Sequence, residues 1–235
     1  MLLSEDYIVK INDEIEIVIE QYKEQPVSEL LSKLNISYTA KNRLNVLTKK
    51  LICESSTTLL AEVSQEDDFC FKTIKLDKFG RLKESMSLPV FSYCDLVNES
   101  WINSNLKQYF ATKIFAFTVY KEIDKNLFLH KIILWKMPED VLNTSVRAVW
   151  EKMQECLKSG HIVKYIDDHG RYFSYFPSAS DNPYVHVRPH AQNRNDTYNL
   201  PVPDRLTGLV KYPKHSFWIN RSYILKIIER NKNCV

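Results

Sequence analysis

Glycine is scarce in this chain, 4 residues of 235, and proline is modest at 9. Such a composition argues against long flexible linkers. No apolar run approaches the roughly 18 to 20 residues of a membrane span. The start, "MLLSEDYIVKINDE", has no basic n-region and turns acidic quickly, so no signal peptide is expected and the chain reads as cytoplasmic. Repeats and low-complexity tracts are absent. Cysteines are few and odd in number: Cys53, Cys70, Cys94, Cys156 and Cys234 make five, and no two form a C-x-x-C pair. A disulfide framework and a structural zinc site are both disfavoured. Reduced, mostly buried thiols are the expectation.

The totals that remain are those of a globular protein, with 44% hydrophobic and 26% charged residues. The length suits one large domain or a domain with an appendage. Net charge is +3, but it is unevenly spread. Residues 186 to 226 hold seven Arg or Lys and two Asp, a net of +5, which leaves 3 − 5 = −2 for the rest. A basic C-terminal quarter on a slightly acidic chain fits either a polyanion-facing surface or a solvated loop region.

Along the chain, Ile8, Ile11, Ile15, Val18 and Ile19 recur at helical spacing, with Ser4 and Asp6 placed to cap the start. "QPVSELLSKLNI" and "TAKNRLNVLTKKLI" read as two further helices, so residues 1–53 form a helical segment packed on a main domain, 54–235. The basic side chains Lys41, Arg43, Lys49 and Lys50 read as solvated surface. "FCFKTIKL" alternates like a strand, and "MSLPVFSYCDL" reads as extended. "IFAFTVYKEI" is apolar enough for a buried central strand, with "NLFLHKIILWKM" as its hairpin partner through "DKN". "PEDVLNTSVRAVWEKMQECLKSG" is the clearest helix, stopped at Gly160. "YVHVRPH" is a short strand, and "HSFWINRSYILKIIER" is a strand turning into a terminal helix. Strands and helices in this order predict an α/β fold with a mixed sheet flanked by helices.

In "EDDFCFKTIKLDKFGR" a strand lysine follows an acidic cluster. Residues two apart on a strand share a face, so Cys70 and Lys72 point together, as Asp68 does if the strand begins that early. Magnesium nucleases place a glutamate and a lysine in that relation. The carboxylate holds the hard Mg²⁺ ion, and a thiol replaces it poorly. Without oxygen ligands the Lewis acid and the activated water are both lost. From the residues alone, Lys72 is either a solvated strand lysine or part of a site rebuilt from Glu66, Asp68 and Asp77.

Three stretches resemble one family. "FKTIKLDKFGRLKESMS" is similar to the segment of the MutH mismatch-repair endonuclease that begins at its Glu-Leu-Lys-Thr strand. "HVRPHAQN" resembles that family's Arg-Pro loop. "FWINRSYILKII" resembles the element before its last helix. Their order runs from about residue 59 to 229. The family also contains GATC-cutting type II restriction endonucleases of the Sau type, with two MutH-like halves. With "KESMS", "MPEDVLN" and "HVRPHAQNR" this chain is most similar to the second half, which lacks the metal site. The resemblance implies a restriction-endonuclease-like fold and a chain that is part of, or derived from, a longer enzyme.

By the same resemblance the family's metal-binding aspartate falls near Val63, its glutamate on Cys70 and its lysine on Lys72. This implies a pseudo-nuclease without a metal ion or other cofactor. Base reading would fall to Arg188, Pro189 and His190, with Trp218 as the aromatic of a second reading element. Arg194, Lys214, Asn220 and Arg221 would flank them as phosphate or base contacts. From the residues alone, Arg188 equally suits an ion pair with a core carboxylate and Trp218 a core position. The implied partners are double-stranded DNA containing GATC and the N-terminal catalytic half of the same enzyme, with no membrane. The implied role is that of an allosteric effector in restriction-modification. The competing expectation is an active Mg²⁺-dependent GATC endonuclease using Glu66, Asp68, Lys72 and Asp77.

Overall fold

Helices form where apolar residues recur every three or four positions, and strands form where they alternate. The computed structural model describes residues 5–55 and 58–231, the side chains of 5–8 excepted. Ser4 and Cys234 lie outside the described residues, and so do the side chains of Asp6 and Ile8, so the anticipated cap and the Ile8 face fall there too. In chain order the elements are α1 (Glu5–Tyr22), α2 (Val27–Lys33), α3 (Arg43–Glu54), α4 (Thr58–Val63), β1 (Phe69–Leu76), β2 (Met86–Val90) and α5 (Tyr93–Asn98). A 3-10 turn (Trp101–Asn103), α6 (Asn105–Thr112), β3 (Ile114–Ile123), β4 (Asn126–Trp135), α7 (Glu139–Val141), a π turn (Leu142–Val146) and α8 (Arg147–Ser159) follow. The chain continues through β5 (Val163–Ile166), β6 (Tyr172–Ser174), β7 (Val185–Pro189), β8 (Thr197–Asn199), β9 (Lys211–Pro213), β10 (His215–Ile219) and α9 (Arg221–Arg230). The architecture is α/β, in two compact units that interleave in sequence.

The first unit takes Met1–Lys83 and Thr112–Lys136. The segments expected from the sequence, 1–53 and 54–235, are not coextensive with the units, because β1, β3 and β4 share one core with the N-terminal helices. Their sheet has the order β1-β3-β4, parallel then antiparallel. Strand β3 is buried at six consecutive positions, Phe115 to Tyr120, as a central strand covered on both faces must be. Its hairpin to β4 turns at Asp124 and Lys125, with φ of 48° and 67°, the left-handed pair that matches strand twist. Tyr120 is buried against α3. Burial pushes its phenol up to about 12, against the Thr48 hydrogen bond at 2.9 Å. A fourth helix, α4, was not anticipated. Its first N–H groups, those of Leu59 and Leu60, donate to the Glu14 carboxylate at 3.2 and 2.5 Å. Of the basic side chains on α3, Lys50 donates to Leu34 O at 2.8 Å, and Lys49 lies 5.6 Å from the centre of the Phe71 ring.

The second unit takes Glu84–Ala111 and Met137–Val235. Its main sheet, β2-β10-β7, is antiparallel and separate from the first. "YCDL" is not extended as expected: Ser92 Oγ accepts from Asp95 N at 3.3 Å and starts α5. The clearest predicted helix is present but widens into a π turn before α8. It ends at Gly160, φ +70°, where an added Cβ would stand 2.7 Å from Pro203 O. The thiols are less hidden than expected: of the four described, Cys53 is exposed, Cys70 and Cys94 are half-buried, and Cys156 is buried.

A short motif, not evident as a repeat in the sequence, occurs twice. In "DKFGR", Asp77 Oδ1 accepts from Phe79 N and Arg81 N, both at 2.9 Å, and Oδ2 accepts from Arg81 Nε at 2.8 Å. In "DDHGR", Asp167 does the same with His169 N, Arg171 N and Arg171 Nε at 3.0, 2.8 and 2.6 Å. The fourth residue is a glycine at φ +76° or +71°, a region side chains avoid. In both clips the hydrogen bond from the arginine's backbone N–H leads in holding the carboxyl below its ordinary value.

Candidate nucleic-acid interface

Antiparallel register decides which side chains meet. Across β7 and β10, Ser216 stands opposite Arg188, Phe217 opposite Val187, and Trp218 opposite His186. Paired residues share a face. Val185, Val187, Phe217 and Ile219 are therefore buried together on the apolar face. Arg188, His186, Ser216 and Trp218 share the other face. The exposed Arg188 guanidinium lies 4.6 Å from the centre of the half-buried Trp218 ring. It rests on that ring instead of entering an ion pair with a core carboxylate, and such a contact prepays part of the entropy of holding a long side chain in place.

Beneath this pair is a polar foundation. Asn220 Nδ2 donates to Asn182 O at 2.6 Å and lies 3.5 Å from Ala179 O. Two carbonyl acceptors fix which end of the amide is nitrogen. Asn220 Oδ1 is then the acceptor facing His186 Nδ1 at 2.5 Å, so the imidazole carries its proton on Nδ1. Burial lowers the His186 pKa, against the Asn220 bond and with help from Arg188, so the ring is neutral. Asn182 Oδ1 accepts from Tyr184 N and Val185 N, and its Nδ2 donates to Ser145 O in the π turn at 3.0 Å. The start of β7 is thereby tied to the helix. Trp218 carries a cost in the same place: its indole N–H is buried without an acceptor, worth about 1–3 kcal/mol.

The other expected residues divide. Pro189 and His190 are exposed at the end of β7, as is Arg194 in the following loop. The His190 ring sits 5.5 Å from Trp218, with Nδ1 2.8 Å from Ser216 Oγ. Arg221 is exposed as the first residue of α9. Lys214 is ion-paired with Asp196 at 2.5 Å and lies 4.7 Å from the Tyr198 ring centre. Asn220 differs from the others: 3% exposed with both ends of its amide engaged, it lies beneath the surface and supports it. Gln192, Asn193, Asn195, Asp196 and Lys214 line a polar cleft of about 440 Å³ beside the His190 loop.

Two buried groups went unnoticed in the sequence. Asp204, 2% exposed, accepts from Ile162 N, Val163 N, Thr207 N and Thr207 Oγ1 at 3.0, 2.8, 2.8 and 2.6 Å. Burial alone would raise its pKa, but the four donors outweigh it and the net shift is downward. "PDRLTG", an aspartate three residues before a threonine, was the available signal. His215 is buried between Tyr212, stacked at 5.4 Å, and Phe176, edge-on at 5.0 Å. Its Nδ1 lies 2.7 Å from Pro213 O and 2.8 Å from Tyr93 Oη.

Burial drives the His215 pKa from 6.5 to about 4. The unfolded chain therefore takes up this proton first as pH falls. Stability is full above pH 6.5 and is expected to drop by up to about 3 kcal/mol on acidification toward pH 4. Urea unfolding across that range measures the loss, and a flat profile would contradict it.

The strand that bears Cys70 and Lys72 lies in the first unit. Cys70 and Lys72 are half-buried on one face of β1, and Phe69 and Phe71 are buried on the other. Val63 ends α4 inside the same apolar cluster as Phe69 and Phe71. Glu66 is exposed and Asp68 half-buried before the strand begins. Asp77 follows its far end, nine residues on, roughly 30 Å away along an extended chain. Its carboxylate already serves its own turn. The expected regrouping of Glu66, Asp68 and Asp77 around Lys72 is thus not formed. Among the described residues no three His, Cys, Asp or Glu side chains gather where a metal ion could be held.

No family model matches the chain. It is 29% identical over 194 residues to the type II restriction enzyme Sau3AI of Staphylococcus aureus, a match that covers 72% of this chain and 40% of that enzyme. The chain thus spans well under half the length of this relative, and the similarity supports kinship with a restriction-endonuclease family. Among the described residues no helix is long and apolar enough to cross a membrane.

Proposed function

We propose that this chain is a non-catalytic, sequence-specific domain that binds double-stranded DNA at GATC. In this reading it has a restriction-endonuclease-like fold, corresponds to the second MutH-like half of a type II restriction endonuclease, and acts allosterically on the catalytic half. The observation that carries the reading is the exposed Arg188 resting on Trp218 over a fully engaged Asn182–Asn220–His186 network. A guanidinium held in this way suits bidentate bonding to guanine O6 and N7. The buried indole N–H without a partner adds weight, since proteins tolerate such costs mainly at functional sites. The place of the metal-binding glutamate is taken by Cys70, a poor ligand for Mg²⁺.

Binding one GATC copy would favour one state of the whole enzyme and so promote cleavage at another copy, provided affinity differs between the states. The test is competition between a GATC duplex and one-base variants. A specific reader loses about 1–3 kcal/mol, or roughly 5- to 150-fold, at each changed base pair. Equal affinity for GATC and scrambled duplexes would sink the reading. Nicking of GATC plasmid by this chain with Mg²⁺, abolished by Lys72→Ala, would show that the site on β1 is alive.

A further inference from the structure

The two clips share one scaffold and differ at their tips. The hydrogen bonds of the turn use the aspartate carboxylate, the arginine and the backbone N–H of the third residue, so the side chains at the second and third positions are unconstrained by it. One clip carries Asp168 and His169 there, and the other carries Lys78 and Phe79. The turn therefore does not explain why a phenylalanine stands 68% exposed at its tip. Two cations keep it company: Lys78 Nζ lies 5.0 Å and Arg81 Cζ 4.7 Å from the ring centre. Lys75, Lys78, Arg81 and Lys83 are all exposed within nine residues, and the one acid among them, Asp77, is spent on the clip. The base is fixed by an antiparallel bridge between Leu76 and Leu82. The result is a stiff, cationic projection with an aromatic at its point.

We infer that this tip is a second DNA-contact element, independent of base reading: Lys75 and Lys78 take backbone phosphates, and Phe79 packs into a groove as an apolar wedge. The inference rests on the DNA-binding reading above. Charge selects the partner. An exposed aromatic alone would suit a protein surface, but two cations against the ring and two more exposed within the same nine residues favour a polyanion. Cations and aromatics together are the combination that grips nucleic acid without reading its sequence. The Phe79 and Lys78 side chains make no bond that the clip requires, since Phe79 enters it only through its backbone N–H, so both can be changed without disturbing the turn.

The experiment measures affinity for GATC and scrambled duplexes over a salt series, with thermal melting to confirm that the variants fold. Phe79→Ala, which changes no charge, is expected to weaken both duplexes about tenfold while leaving their ratio intact. Lys78→Ala is expected to lower the slope of log affinity against log salt by about 0.9, one phosphate contact. Unchanged affinity and slope in both variants would overturn the inference and leave the tip to a protein partner. A changed GATC preference would also overturn it, since the tip would then read bases. If the unmodified chain binds neither duplex, the DNA-binding reading itself fails, visibly and before any variant is made.

Discussion

Arg188→Ala is expected to cost the chain about 10- to 100-fold in affinity for a GATC duplex and far less for a scrambled one. A bidentate contact from arginine to guanine is worth about 1–3 kcal/mol of discrimination, and only the matching base pair supplies both acceptors. The side chain is exposed, so its removal leaves the fold intact. Arg188→Lys should recover part of the non-specific affinity but little of the preference, because an ammonium is a point charge without the planar fork. Trp218→Ala should resemble Arg188→Ala, since the guanidinium loses the ring beneath it. Direct binding with matched and single-mismatch duplexes decides. Equal losses on every sequence would make Arg188 a phosphate contact and move base reading elsewhere.

Asp204→Ala is expected to be the most damaging single change to stability, at about 3–5 kcal/mol. Deleting the carboxylate strands four donors: the N–H groups of Ile162, Val163 and Thr207, and the Thr207 hydroxyl. Ile162 and Val163 are buried and Thr207 half-buried around an Asp204 that is only 2% exposed. The loop also closes on α8 through Arg205 N donating to Gly160 O at 2.9 Å. Asp204→Asn keeps one oxygen but turns an amide toward the Thr207 donors, so an intermediate loss is expected. The pH dependence distinguishes charge from shape. A carboxyl held below its ordinary value of 3.8 stabilises the fold above that pH and stops doing so as pH falls through its lowered value. Asp204→Asn should shrink that acid limb by the share of Asp204, leaving the shares of Asp77 and Asp167, and should not change the loss between pH 6.5 and 4 that comes from His215 and His186. Denaturant melts on the intact chain measure both, and a loss under 1 kcal/mol in Asp204→Ala would refute the role.

Strand β1 and helices α1, α3 and α8 were legible from the period that burial imposes, β3 from its continuous apolar run, and β4 as its hairpin partner through a polar turn. The pairs β5-β6 and β8-β9 were not, since strands of three or four residues leave no period to read. The extended reading of "YCDL" failed because β-forming side chains carried more weight than one serine that caps α5. The resemblance pointed to Arg188 and Trp218, and strand alternation explains why the two side chains meet on one face. The buried partners of Asn220 were not legible for a reason of scale. Its neighbours on one side are a strand and on the other a helix, but its partners Asn182 and Ala179 are about 40 residues away, and nothing local announces them. Asp204 was counted as one negative charge, a tally that does not distinguish a solvated carboxylate from one that holds four donors.

The alternation along β10 divides labour at single-residue resolution. His215, Phe217 and Ile219 serve the interior, while Ser216 and Trp218 face the polar side with Arg188 across the register. On the DNA-binding reading proposed above, preference for a sequence and integrity of the fold are thus written on alternate letters of the same word. A lineage, or an engineer, can recode Arg188 and its neighbours toward another base without touching the apolar letters between them. A single inserted or deleted residue in that strand would exchange the two alphabets and forfeit both at once.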